Sequence, residues 1–171
     1  MAFTKLKPTG IDLSQTFAFT GSVTGAGGGK IGQLKNQVHS TQVEINSDSG
    51  NGIATGLSLV ITPSATSSKI LIIPNLSYRI DADGRGFGIK MFRTVGGSAT
   101  QIYSTAYAWL GVGSDSGGNA TRNRATWHHL DSPNTTSAVT YSINALSESG
   151  NQILVQPSNN QSMFTLMEVL A

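Results

Sequence analysis

The 171-residue chain has no cysteine, which excludes disulfides and thiolate zinc sites. It is also poor in charge. Only 12% of its residues are Asp, Glu, Lys or Arg, about half the usual ~25%. The net charge of +2 comes from Lys and Arg placed singly between Lys5 and Arg124. Nucleic-acid binding needs a clustered basic footprint, so no such partner is expected. Long apolar runs are missing as well. The longest aliphatic run, from Ile70 to Ile73, falls far short of the ~20 residues that cross a bilayer, and residues 1–13 lack the apolar stretch of a signal peptide. No ten-residue window shows a capped amphipathic helix, so helix is expected to be minor.

What the chain does have is 20 glycines and about a third of its residues as Ser, Thr, Asn or Gln. Its surface is therefore wetted by hydroxyls and amides. Apolar residues recur with period two: Leu57, Leu59 and Ile61; Phe87, Ile89 and Met91; Val139, Tyr141, Ile143 and Ala145. That period belongs to strands with one buried face. Two segments, Ile70 to Ile73 and Met163 to Leu170, read as apolar on both phases, which suits strands covered by the core on one side and by a neighbouring subunit or loop on the other. Clusters of Gly, Asn, Asp, Ser and Pro punctuate these runs and mark turns. They delimit eight to ten short strands from Gln33 onward. The fold class predicted is all-β, an antiparallel jelly-roll-like β-sandwich over residues 33–171.

Residues 1–32 differ. Phe3, Leu6, Ile11, Leu13, Phe17 and Phe19 precede a Gly-rich stretch from Gly21 to Gly29, too glycine-rich to carry its own core. This segment reads as an extended N-terminal arm for attachment or oligomerisation, joined by a flexible neck. Fully extended it reaches roughly 100 Å.

Several stretches suggest chemistry and must be weighed. Gly25 to Lys30 fails the phosphate-loop pattern, because Thr24 stands at the first Gly position and Ile31 follows the Lys. Asp81-Ala82-Asp83-Gly84-Arg85 begins like a calcium loop, but Arg85 takes the third ligand position and Phe92 the twelfth. His128 and His129 face opposite sides of a strand and cannot chelate one metal within a subunit. They stay weak metal candidates at a symmetry axis. Trp127, His129 and Asp131 share a face on which Asp131 could orient the imidazole. Tyr103, Tyr107 and Trp109 line one strand face, as sandwich filling or as an exposed contact surface. No carboxylate pair suited to glycoside hydrolysis stands out. No enzyme activity and no cofactor are expected.

Residues 55–72, TGLSLVITPSATSSKILI, resemble a recurring segment of tailed-phage fibre and related virion proteins, especially those of marine phages. Residues 130–141, LDSPNTTSAVTY, and 162–170, SMFTLMEVL, resemble the same group in the same order. The resemblance implies a C-terminal β-sandwich module, usually trimeric, in a virion assembled in the host cytoplasm. The implied partners are two further copies, other virion proteins of tail, neck or capsid, and a host-surface glycan or protein. Membrane insertion is not implied. Fibres of this kind carry a long repetitive shaft, whereas Met1 lies only about fifty residues before the first match and no G-X-Y period, heptad or longer repeat occurs. A short knob docked through its arm is the expectation, with capsid decoration, a head fibre, or a carbohydrate-binding module as alternatives. Its contact loops are expected at Asp81 to Phe87, Gly111 to Asn123 and Asp131 to Thr136. The contact candidates are Asp81, Asp83, Arg85, Tyr107, Trp109, Arg122 and Arg124.

Overall fold

Alternating apolar residues become strands whenever every second side chain can enter one core, and the chain does this along its whole described length. The computed structural model describes residues 30–80, 86–105, 121–148 and 152–170. They form β1 (Ile31–His39), β2 (Val43–Ile45), β3 (Ile53–Ile61), β4 (Lys69–Ile80), β5 (Phe87–Val95), β6 (Ser98–Ser104), β7 (Thr121–Thr126), β8 (His129–Asp131), β9 (Val139–Ser147), β10 (Ile153–Val155) and β11 (Ser162–Val169). One 3-10 turn, Pro157–Asn159, is the helical element among them. No helix among the described residues is long and apolar enough to cross a membrane.

The eleven segments lie on eight strand lines. β1 and β2 pair successively with β11 and β10, and β7 and β8 pair successively with β4. Counting each broken pair once, the first sheet runs first-eighth-third-sixth, and the second, β3-β9-β5-β6, runs second-seventh-fourth-fifth. The ladders thus nest first with eighth, second with seventh, third with sixth and fourth with fifth. This is one long antiparallel hairpin wrapped into a sandwich, the jelly-roll arrangement.

The breaks have local causes. Pro74, within β4, has no N–H to donate. Its carbonyl accepts from the Trp127 N–H at 3.4 Å, and the ladder on that side is interrupted at Trp127 and His128, between β7 and β8. Between β10 and β11 the chain loops out: Val155 faces Tyr78, yet Met163 faces Asn75. Gln156, Ser158 and Asn159 take positive φ there. The exposed ladder groups are recovered by side chain and loop, since the Ser77 N–H donates to Ser162 Oγ at 2.9 Å and the Gln156 N–H donates to the Ser77 carbonyl at 2.9 Å.

The core lies between the sheets. Ile70, Ile72, Leu76, Tyr78 and Ile80 of β4 and Phe164 and Leu166 of β11 meet Leu57, Ile61, Phe87, Ile89, Met91, Tyr141 and Ile143 of the second sheet. Phe87 is fully buried, with its ring 4.7 Å from that of Tyr78, so it belongs to the core and not to a contact loop. The two segments read as apolar on both phases are the central neighbours β4 and β11. One phase of each is core. The other phase lies on the outer face of the first sheet, half-buried at Leu71, Ile73 and Met167 and exposed at Met163. Their core phase also includes a charge, Glu168, fully buried.

Candidate interaction faces

Two buried carboxylates hold one end of the sandwich. Glu168, on the core phase of β11, accepts hydrogen bonds from the Ser64 N–H and the Ser64 hydroxyl, each at 2.6 Å, and from the Gln33 side-chain amide at 2.8 Å. The Gln33 amide also donates to the Thr62 carbonyl at 2.6 Å. Desolvation pushes the carboxyl upward, but the Ser64 donors, with smaller contributions from the Ser68 and Gln33 side chains, overcome it and bring its pKa down to about 2. The β3–β4 connection is thereby tied to both β1 and β11. On the other flank Asp131 accepts from Arg93 Nη1 at 2.9 and 3.1 Å and from the Tyr141 hydroxyl at 2.7 Å. Arg93 also donates to the Ser132 carbonyl at 3.2 Å. Burial, and then the bond to Asp131 and its charge, raise the Tyr141 phenol far above its usual range. The expectation that Asp131 orients His129 is overturned, because Arg93 and Tyr141 occupy its oxygens. The His129 ring instead lies 5.6 Å from the ring of Tyr103, and Tyr103 and Trp127 pack partly buried against the core. His128 points to the opposite, outer face and is exposed.

The residues left to meet a partner lie on the outer faces of the two sheets. Strand register sets the first face in rows. One row reads Leu34, Met167, Leu71, Leu130 across β1, β11, β4 and β8. A parallel row reads Val38, Met163, Asn75, Thr126 across β1, β11, β4 and β7. Between them stand Asn36, Thr165 and Ile73. Leu34, Val38, Leu130 and Met163 are 60, 51, 48 and 42% exposed, and none of the residues in these rows carries a charge. Farther along β4 the character of the face changes. Arg79 faces Arg122 and Ser77 faces Arg124, and a shallow depression there is lined by Ser77, Arg122, Asn123, Arg124 and Asn160. Arg124 donates to Asn75 Oδ1 at 2.8 Å.

The second sheet's outer face is different again. Ser58, Ser142, Phe92 and Gln101 form one row, and Asn51, Phe92, Thr94, Gln101, Ser142 and Asn144 line a shallow depression of amides and hydroxyls around one phenyl ring.

The predicted contact residues scatter over this framework. Arg122 and Arg124 are exposed, but on β7, so the loop expected to run to Asn123 ends before Thr121. Asp131, expected to open a contact loop, is a buried structural carboxylate. The connection after it lies at the far end of β4 from β7's start, since Asp131 faces Ile70 and Thr121 faces Ile80, roughly 33 Å apart at ~3.3 Å per residue. Asp81, Asp83, Arg85, Tyr107 and Trp109 lie outside the described residues, as do the arm residues Phe3, Leu6, Ile11, Leu13, Phe17 and Phe19. Among the described residues no three His, Asp or Glu side chains gather around a common point.

No family model matches the chain, and no curated protein matches it. Among solved structures it is similar to infectious bursal disease virus VP2 in a subviral particle, with 12% identity and a TM-score of 0.43, over 81% of this chain and 32% of that one. It is similar also to a structure of the Gx strain of that virus, with 11% identity, a TM-score of 0.40 and the same two coverages. For the T13 particle of the virus the values are 12% and 0.35, over 82% of this chain and 36% of that one. The chain spans about a third of the length of these proteins.

Proposed function

We propose that the chain is a non-enzymatic virion structural protein, a short trimeric knob or tail-fibre component that docks on the particle through residues 1–32 and presents a host-contact surface. The observation that carries this reading is the uncharged apolar face spanning the first sheet. A contiguous apolar surface of this kind marks a segment or partner seated on it, and the low charge of the chain as a whole suits association with copies of itself. The three segments that resemble virion proteins supply most of β3, the start of β4, most of β8, the start of β9 and β11, of which β4, β8 and β11 belong to that face. A binding role is favoured over catalysis because Asp131 and Glu168, the buried carboxylates among the described residues, are consumed by structural hydrogen bonds. Capsid decoration or a head fibre uses the same face and differs only in location.

Host contact falls to the basic end of the first sheet, where Arg122 and Arg124 present guanidinium groups suited to a carboxylated or sulfated glycan. Light scattering of the purified protein is expected to give a trimer at micromolar concentration, and labelled intact particles are expected to carry it at a defined location. A monomer that is absent from purified particles would overturn the reading. The depression lined by Asn51, Gln101, Ser142 and Asn144 favours a second reading, a carbohydrate-binding module, since amides and hydroxyls over the largely buried Phe92 ring suit a neutral sugar. A glycan array distinguishes the two: loss of acidic hits in Arg122→Ala/Arg124→Ala supports the basic end, and loss of neutral hits in Phe92→Ala with Gln101→Ala supports the second sheet.

A further inference from the structure

Four of the six exposed large apolar side chains among the described residues, Leu34, Val38, Leu130 and Met163, share the outer face of the first sheet. Its apolar part spans four strand lines, ~14 Å at ~4.8 Å per gap, and four residues along β1, ~13 Å. With side-chain breadth added this is on the order of 400 Å². A stable interface between two folded proteins buries ~800 Å² on each partner, so this patch laid against its own copy supplies only about half of what such a contact needs. An extended peptide of six to nine residues, by contrast, covers it.

The chain itself contains such a peptide. In residues 8–19 the large apolar side chains come as Ile11 with Leu13 and Phe17 with Phe19, and the one charge is Asp12. Residues two apart on an extended chain lie on one face about 6.6 Å apart, the spacing of successive same-face rows along a strand, and Leu13 and Phe17, four apart, lie about 13 Å apart, the distance between the Leu34 and Val38 rows. The uncharged rows of the sheet match this nearly uncharged peptide. The attachment point is close as well. The Lys30 carbonyl accepts from the Leu170 N–H at 2.6 Å, which places residue 30 at the end of β11 beside the Leu34–Met167 row. The nine residues from Gly21 to Gly29 span up to about 30 Å, enough to bring residues 8–19 over the patch.

We infer that the outer face of the first sheet is the docking site for residues 8–19 of this chain, with Ile11, Leu13, Phe17 and Phe19 set down on the rows of Leu34, Met167, Leu71, Leu130, Val38 and Met163. The inference rests on the reading of this face as an association surface and makes residues 8–19, not the sheet of a second copy, its occupant, so contacts between copies fall to the rest of the surface; it does not concern where the protein sits on a particle.

The test uses the full-length protein in two ways. Leu130 replaced by photoreactive p-benzoylphenylalanine is expected to crosslink within residues 8–19, as mapped by mass spectrometry. Crosslinks found only to strands of another copy, or none to residues 8–19, would overturn the inference. Limited chymotryptic cleavage after Phe17 and Phe19 is expected to run about tenfold faster in Leu34→Glu/Leu130→Glu than in the unaltered protein, since a charge on each side of the patch removes the gain from burying one or two of the apolar anchors. Both sites are exposed enough that the thermal midpoint should stay within a few degrees, which separates release of the segment from unfolding. Equal cleavage rates in both proteins would refute the docking. These readouts need no virion, so the inference fails on purified protein and the virion reading fails on particles.

Discussion

Replacing Glu168 by Gln tests whether the end of the sandwich is held by a buried ion. The carboxylate accepts two hydrogen bonds from Ser64 and one from Gln33. The substituted side chain could still accept on its one amide oxygen, but its NH₂ would then meet the Gln33 NH₂, donor against donor. Turning the Gln33 amide over to relieve this would break its bond to the Thr62 carbonyl. The folded pKa of about 2 lies below the reference 4.5. A shift of that size corresponds at most to about 3.5 kcal/mol at ~1.4 kcal/mol per unit. Because the carboxylate is sealed by a thin layer of side chains near the surface and solvent screening reduces its worth, the expected loss in Glu168→Gln is ~1 to 3 kcal/mol at pH 7. For a chain of this size that lowers the midpoint by about 3 to 10 °C. The pH dependence is diagnostic. A carboxylate with a depressed folded pKa stabilises fully above the unfolded value and loses that contribution as pH falls toward the folded one. The stability difference between wild type and Glu168→Gln, from urea unfolding followed by far-UV circular dichroism, should therefore be constant from pH 7 to about 5.5 and shrink steadily toward pH 2. A difference that is zero at pH 7, or that does not change between pH 7 and 3, would refute the reasoning.

Tyr141→Phe removes the hydroxyl that donates to Asp131 and leaves one of that buried carboxylate's partners missing, so a loss of ~1.5 to 3 kcal/mol in urea unfolding is expected. Gly56 has φ of +82°, and a Cβ added there would enter the ring of His39. Gly56→Ala should therefore cost both backbone strain of ~1 to 3 kcal/mol and a steric clash. In the His39→Ala background only the strain remains, so a double-mutant cycle by thermal unfolding should show the two substitutions partly compensating.

The fold class was legible because the core reads as simple alternation in particular stretches. Leu57 and Ile61 of β3, Phe87, Ile89 and Met91 of β5, and Val139, Tyr141, Ile143 and Ala145 of β9 are the side chains that fill the sandwich. The order in which the strand lines wrap has no local signal, since His39 finds Ser162 and Leu34 finds Met167 only through the closing of the whole hairpin. Glu168 is hidden inside an apolar-looking segment, yet its phase contains a clue: Ser162, Phe164, Leu166 and Glu168 alternate on one face, so a charge at the last position must be buried with donors or break the strand. Gln33 and Gln37 mislead in the opposite way. They are polar residues on the core phase of an edge strand, where the amide of Gln33 reaches the Thr62 carbonyl and that of Gln37 bridges the Gly56 carbonyl and the Ser58 N–H. Arg122 and Arg124 read as loop residues because the preceding stretch is rich in Gly and Ser, and only their pairing with Arg79 and Ser77 puts them on a strand.

The resemblance to virion proteins takes on a definite physical meaning once its residues are placed. Residues 55–72 contain Ser64, residues 162–170 contain Glu168 and Ser162, and residues 130–141 contain Asp131, Ser132 and Tyr141. The side chains among them are used inside the protein: Ser64 on Glu168, Ser162 on the Ser77 N–H, and Tyr141 on the Arg93–Asp131 pair, to which Ser132 adds only its backbone carbonyl. Such residues are fixed by the demand that buried polar groups be satisfied, so the three segments specify the sandwich and its closed end, not a receptor. It follows that Ser64→Ala and Asp131→Asn should lower stability without altering contact chemistry. Adsorption of the purified protein to host cells, normalised to the folded fraction from circular dichroism, should be unchanged in both variants. A drop in adsorption per folded molecule would place these segments in the contact surface and overturn the assignment.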